Sequence, residues 1–221
     1  DTVLISELLK AVKSKVRIVM LGDVNQIPSV GPGNVLKDLI SSKKIDIVQL
    51  KTIFRQSEGS TIVDNAHRIN HGAFPIVNTK DSDFFMISSD SELKTVNSIK
   101  ELVSKRLPKF YGLNSLKDIQ VLAPMKKGIS GVNNLNRELQ ESINPPDYSK
   151  AEIIIGDFLF REGDKVMQMK NNYQIEWKAF TSDRVEYDRG MGIYNGDIGF
   201  ITEIDNIYNT LVVSFDDREV E

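Results

Sequence analysis

Val16-Arg17-Ile18-Val19-Met20-Leu21-Gly22-Asp23-Val24-Asn25-Gln26-Ile27-Pro28-Ser29-Val30-Gly31-Pro32-Gly33 decides how the rest of the chain is read. Its first six residues are almost continuously apolar, as a strand buried on both faces requires. Gly22-Asp23 ends that run, and the loop Val24 to Gly33, with two glycines and two prolines, excludes regular structure. Polar groups that follow a buried strand sit at the carboxyl end of a parallel sheet, where open α/β sheets bind ligands. Asp23 and Gln26, three residues apart, offer a carboxylate and an amide to a water or a phosphate oxygen. The plainer alternative is a turn capped by Asp23, with Gln26 in solvent.

On either side the pattern is α/β. Leu4, Leu8 and Val12 recur at helical spacing before the strand, and Val35, Leu36, Leu39 and Ile40 mark a helix after it. Ile45 to Leu50 reads as a second strand, and strand, helix, strand in this order predicts a parallel sheet. A further α/β stretch follows. Ser60 is the expected N-cap of a helix carrying Ile62, Val63, Ala66 and Ile69. Phe84 to Ile87 reads as a strand, 91–107 as a helix and Ile119 to Ala123 as a strand, and Ser130 or Gly131 opens a helix bearing Val132, Leu135, Leu139 and Ile143, stopped by Asn144-Pro145-Pro146. Beyond that point the texture becomes β-rich. Ile153 to Phe160, Lys165 to Met169, Ile198 to Ile204 and Leu211 to Phe215 read as strands of a small barrel, with Gly, Asn and Asp in the turns. One further helix is weighed over 173–180.

The 221 residues hold 28 Lys and Arg against 31 Asp and Glu, with 40% hydrophobic residues. These globular proportions exclude wholesale disorder. No apolar run approaches the roughly 18 residues needed to cross a bilayer, and residues 1–10 show no signal-peptide pattern. The absence of cysteine excludes disulfides and thiolate metal sites and is compatible with a cytoplasmic protein. Charge is unevenly spread: residues 1–150 carry 21 basic and 16 acidic groups, a balance of +5, whereas 151–221 carry 7 and 15, a balance of −8.

Other stretches carry chemical potential. Leu50-Lys51-Thr52-Ile53-Phe54-Arg55-Gln56 places an arginine fork where it can meet a phosphate or form a salt bridge. Val121 to Gly128, with Pro124, Met125, Lys126 and then Asn134, ends a strand in a lysine-bearing loop before a helix N-terminus, a setting suited to an anionic backbone or to a solvated turn. Tyr173, Trp177 and Tyr194 have faces on which bases can stack, with packing in the module as the competing role. His67 and His71 are four apart but lack a third ligand, so no metal site is expected. No G-x-x-x-x-G-K-[ST] phosphate loop occurs.

Taken together, Gly22 to Gly33 resembles motif III of superfamily-one helicases of the RecD-like type. Leu50 to Gln56 with Asn65 to Asn70 resembles their motif IV, Val121 to Asn136 the following motif of the second motor domain, and Gly163 to Tyr173 with Tyr194 to Gly199 the lead into that family's SH3-like insertion. The resemblance spans nearly the whole chain in order. It implies an α/β fold of parallel-sheet, P-loop (RecA-like) motor-domain pieces followed by a β-rich SH3-like module. Residues 1–50 would be the C-terminal part of the first motor domain, 51–150 the N-terminal part of the second, and 151–221 the segment entering the SH3-like insertion.

The family's activity, ATP-driven DNA unwinding in repair and recombination, is the implied function. Several of its members are named as the alpha chain of exodeoxyribonuclease V. By the same resemblance Gln26 senses the γ-phosphate with Asp23 in support, and Arg55 is a γ-phosphate arginine. Pro28, Ser29, Pro124, Met125, Lys126 and Asn134 contact single-stranded DNA. The family's Walker A loop, D-E box and two later motifs are not among these residues. The expectation is therefore an internal piece, inactive by itself, of a parent that uses ATP and Mg2+. No cofactor is expected in the piece, and its implied partners are single-stranded DNA and, in a helicase–nuclease complex, other subunits. A non-catalytic nucleic-acid-binding module of such a complex is the alternative.

Overall fold

Asp1 starts the first helix because its carboxylate accepts the backbone N–H of Leu4 at 2.8 Å, satisfying a donor that has no intrahelical partner. That helix, α1, runs Thr2–Ala11. The computed structural model describes residues 1–50 and 60–221, and the chain divides into two units, Asp1–Ile87 and Ser88–Glu221. In the first unit α2 spans Val35–Ser42 and closes on Lys43 in the left-handed region at φ 53°.

Helix α3 spans Thr61–Asn70, and its N-terminus departs from expectation. Ser60 occupies the N-cap position, but its side chain does not cap. Its hydroxyl instead donates to Asp83 Oδ2 at 2.6 Å, and Asp83 Oδ1 accepts the N–H of Ile62 at 3.1 Å. A residue more than twenty positions away therefore supplies the cap, a non-local solution that a local sequence signature does not contain. Asn65, fully buried on α3, donates to the carbonyl of Ile76 and accepts its N–H, both at 2.6 Å. Asn78 holds Met86 in the same two-bond fashion at 2.9 Å. Each asparagine stands in for a strand neighbour.

The runs 16–21, 45–50, 84–87 and 119–123 are not strands among the described residues, contrary to the sequence expectation. A strand requires a partner ladder, and none lies beside these segments. Leu21 and Leu50 are more than nine-tenths exposed, whereas the expected sheet would bury them.

The second unit opens with α4, Glu92–Glu101, capped by the Ser91 hydroxyl on the N–H of Lys94. The helical path widens into a π turn over Leu102–Arg106 and resumes as α5, Leu107–Tyr111. Gly112 at φ 69° ends it, four residues beyond the expected stop, and Pro108, which has no N–H to donate, directly follows the π turn, where the regular hydrogen-bond ladder is already interrupted. Helix α6, Val132–Ile143, packs on this segment. Val96, Val103 and Leu135 are buried, and Lys100 Nζ donates to Glu138 Oε2 at 2.6 Å.

The β-rich module follows. The expected single strand over 153–160 is a hairpin, β1 (Glu152–Ile155) and β2 (Phe158–Arg161), turning on Gly156 at φ 62°. Strands β3 (Lys165–Met167), β4 (Asn172–Phe180), β5 (Glu186–Ile193), β6 (Ile198–Asp205), β7 (Thr210–Phe215) and β8 (Arg218–Val220) form one antiparallel sheet in the order β3-β6-β7-β8-β4-β5. Its ladder ends at β3 and β5 and does not close into the expected barrel. Residues 173–180 are strand, not helix: Tyr173, Ile175, Trp177 and Ala179 alternate with polar residues, and cross-strand pairing with β5 and β8 settles the period at two. Ile153, Ile193, Ile201, Ile204, Val213, Phe215 and Val220 make the core.

A buried polar hub ties α6 to this module. Arg161, 1% exposed, donates to Glu152 Oε1 at 2.5 Å, to the Asn144 carbonyl at 2.5 Å and to Glu141 Oε1 at 3.2 Å. Asn144 donates to Asp164 Oδ1 and the Glu162 carbonyl, and Gln140 donates to Asp164 Oδ2 at 2.5 Å. Burial opposes the charge on Arg161, but Glu152 and Glu141 outweigh it and hold its pKa above the ordinary value. No buried side-chain polar atom among the described residues lacks a partner.

Candidate functional site

The loop 22–33 begins and ends on glycines that lie close against side chains. Thr2 donates both its N–H and its hydroxyl to the carbonyl of Pro32 at 2.9 Å, seating the end of the loop on the start of α1. Gly33 has φ 81°, and a Cβ there would strike the Thr2 hydroxyl, so only glycine meets both demands. At the other end a Cβ on Gly22 would lie 2.7 Å from Leu36 Cδ2 on α2.

Between these anchors the structure brings Asp23 and Gln26 together. Asp23 Oδ1 accepts the N–H of Asn25 at 2.9 Å, and Oδ2 accepts the Gln26 amide at 3.1 Å. Gln26 stays exposed and Asp23 caps the turn, as in the plainer alternative, and the two side chains are also bonded to each other. Asp23 takes one amide hydrogen, and the second amide hydrogen and the carbonyl oxygen have no partner in the chain among the described residues. Asp23 and Gln26 line an open cleft of about 460 Å3 together with Pro28, Ser29, Asn34 and Leu36. Ile27 and Val30 are at least 94% exposed, so two apolar side chains of the loop point into solvent. The roles of Asn34, Leu36 and Thr2 escaped sequence reasoning, because the contact that seats the loop spans 30 residues and leaves no local pattern.

Arg55 lies outside the described residues. In the second unit Pro124, Met125 and Lys126 lie in a turn that folds over the start of α6. The carbonyls of Met125 and Lys126 accept the N–H groups of Val132 at 2.9 Å and Asn133 at 3.1 Å. Those two donors, expected from sequence to face an anion, are already used. A Cβ on Gly131 would collide with the Lys127 carbonyl. Asn134 donates to the Ile129 carbonyl at 2.7 Å and accepts from Arg137 at 2.6 Å, so it braces the turn. Met125 is exposed, and so is Lys126.

The remaining candidates separate. Trp177 lies across Gly190, where a Cβ would meet its ring at 2.5 Å, and it packs on the module core. Tyr173 and Tyr194 are exposed and form an edge-on pair with ring centroids 5.7 Å apart. The His71 ring nitrogen contacts the His67 carbonyl at 2.7 Å, and no cluster of three metal-ligating side chains occurs among the described residues. No described helix is long and apolar enough to cross a membrane.

Known families define the class. Residues 1–89 match the AAA domain, and residues 135–215 match the SH3 domain of ATP-dependent RecD-like DNA helicases. The chain thus joins an AAA segment to a RecD-like SH3 segment and is homologous to RecD2 and RecD helicases. It is 29% identical over 222 residues to the ATP-dependent RecD2 DNA helicase of Deinococcus radiodurans, covering 100% of this chain and 26% of that protein. It is 25% identical over 264 residues to the RecBCD enzyme subunit RecD of Buchnera aphidicola, covering 97% of this chain and 40% of the subunit. A 61-residue stretch, 27% of this chain and 6% of the relative, is 44% identical to DNA helicase B of Mus musculus. The chain thus spans well under half the length of these relatives.

Proposed function

We propose that the protein containing this chain is an ATP-dependent DNA helicase that couples ATP hydrolysis to movement along single-stranded DNA and to unwinding, in DNA repair and recombination. The observation that carries the reading is the paired Asp23 and Gln26 on an anchored loop within the AAA-matching segment, followed by a RecD-like SH3 segment. The free half of the Gln26 amide suits a phosphate oxygen or a water beside it. Asp23 fixes the amide plane, so that a small change at the loop changes what Gln26 touches. Bound ATP and Mg2+ would supply the phosphoanhydride and neutralise its charge, and the motifs for holding them are not among these residues. Residues 1–50 and 51–150 would serve as parts of two motor domains, and the chain by itself would not hydrolyse ATP.

In this reading Arg55 stabilises charge on the γ-phosphate. Pro28, Ser29, Pro124, Met125 and Lys126 face single-stranded DNA, and Asn134 acts by bracing the turn. A cytoplasmic setting and partner subunits, as in a RecBCD-like complex, complete it. The test is DNA-stimulated ATP hydrolysis by the whole protein carrying Arg55→Ala. The reading predicts a loss on the order of a hundredfold or more. A rate equal to wild type would favour a non-catalytic nucleic-acid-binding module instead.

A further inference from the structure

Tyr173 and Tyr194 are the one pair of aromatic side chains in the β-rich module that stand next to each other and remain open to solvent, at 66% and 44% exposure. Their rings are inclined at 64°, so they do not cover each other's faces. The pair is built, not incidental. Asn171 donates to the Tyr173 hydroxyl at 3.1 Å, and its carbonyl oxygen accepts the N–H of Asn195, so one side chain links the lead into β4 to the turn after β5. Asp197 Oδ2 accepts the N–H of Tyr194 at 2.9 Å. Gly192, at φ 101°, leaves room for the Tyr194 hydroxyl, which a Cβ there would approach to 2.8 Å. Two rings are thus held at fixed inclination by polar groups that bear no net positive charge.

We propose that this tyrosine pair is a base-stacking site for single-stranded DNA. The proposal rests on the helicase reading. Segment 151–221 carries 15 acidic groups against 7 basic ones, so it is poorly suited to hold phosphates. Exposed aromatic faces beside asparagine amides suit the uncharged bases, which stack on any π-face. A protein partner would more commonly meet an apolar surround, whereas the polar neighbours here are the Asn171 amide and the Asp197 carboxylate.

The test is fluorescence anisotropy of this chain with an oligothymidine and with an abasic oligonucleotide of equal length, for wild type, Tyr173→Ala, Tyr194→Ala, Tyr173→Phe and Lys126→Ala. Both alanine variants should bind oligothymidine on the order of tenfold more weakly, with binding to the abasic strand unchanged, and Tyr173→Phe, which keeps the ring but loses the Asn171 bond, should lose less than Tyr173→Ala. Lys126→Ala should weaken both strands alike. Full oligothymidine affinity in both alanine variants, or an equal loss on both strands, would overturn the proposal while leaving the helicase reading intact. Failure of the wild-type chain to bind any single strand would also overturn the proposal, while the helicase reading is tested separately by ATP hydrolysis of the whole protein.

Discussion

Individual amides do much of the positioning in this chain. Asn65 and Asn78 each satisfy a backbone N–H and carbonyl at once, a task that normally falls to an adjacent strand. Asn65 is fully buried, so Asn65→Ala strands both polar groups of Ile76. The expected cost is about 2 kcal/mol, read as a lowered denaturation midpoint with unchanged slope. Asn65→Asp should not rescue it, because a carboxylate cannot donate to the Ile76 carbonyl. Gln26 is used only by half: one amide hydrogen goes to Asp23, and the other has no partner among the described residues. The sequence showed that Asp23 and Gln26 share a loop. It did not show that they bond, because side-chain pairing in an irregular loop depends on the path between them.

At the scale of elements, the helices were legible, and of the strands β3, β6 and β7 fell where expected while the β4–β5 and β1–β2 hairpins did not. α1, α2, α3 and α6 follow their apolar periodicity closely. β6 and β7, joined by a tight turn, also fall where the alternation puts them. β4 was ambiguous because an alternating aromatic run admits either period, and only its neighbours β5 and β8 decide. The cap of α3 by Asp83 was invisible for the same reason. That cap makes a prediction about acid. In the folded chain the Asp83 carboxyl is held below its ordinary value of 3.8, chiefly by the Ser60 hydroxyl, against burial and with help from the Ile62 N–H. A carboxyl whose folded pKa is depressed stabilises the fold fully above the unfolded value. That contribution is lost as pH falls through the lower folded value. Asp83→Asn should therefore melt below wild type at neutral pH, and the difference should shrink as the pH falls through the lowered folded value. A difference that persists unchanged in acid would show that the carboxylate charge is not what holds α3.

Over the whole molecule, the two segments depend on different physics. The AAA-matching segment leaves apolar runs such as Val16–Leu21 exposed and relies on loop anchoring, whereas the RecD-like SH3 segment has its own core and the Arg161 hub. Arg161→Ala removes a buried charge from two carboxylates, those of Glu152 and Glu141, that retain 37% and 49% side-chain exposure and can be rehydrated. The expected loss is therefore about 3 kcal/mol, at the low end for a broken buried pair. Glu141→Gln, at the exposed end, should cost less than about 1 kcal/mol. Urea denaturation followed by Trp177 fluorescence reads both. Equal effects would mean that the hub acts as ordinary surface charge.

In the proposed function the Asp23–Gln26 loop couples the nucleotide to DNA. Its most direct test is the ATP hydrolysis rate of the whole protein carrying Gln26→Ala, measured with and without saturating single-stranded DNA. The account predicts that DNA binding persists while stimulation by DNA falls at least tenfold. Wild-type stimulation in the variant would contradict it.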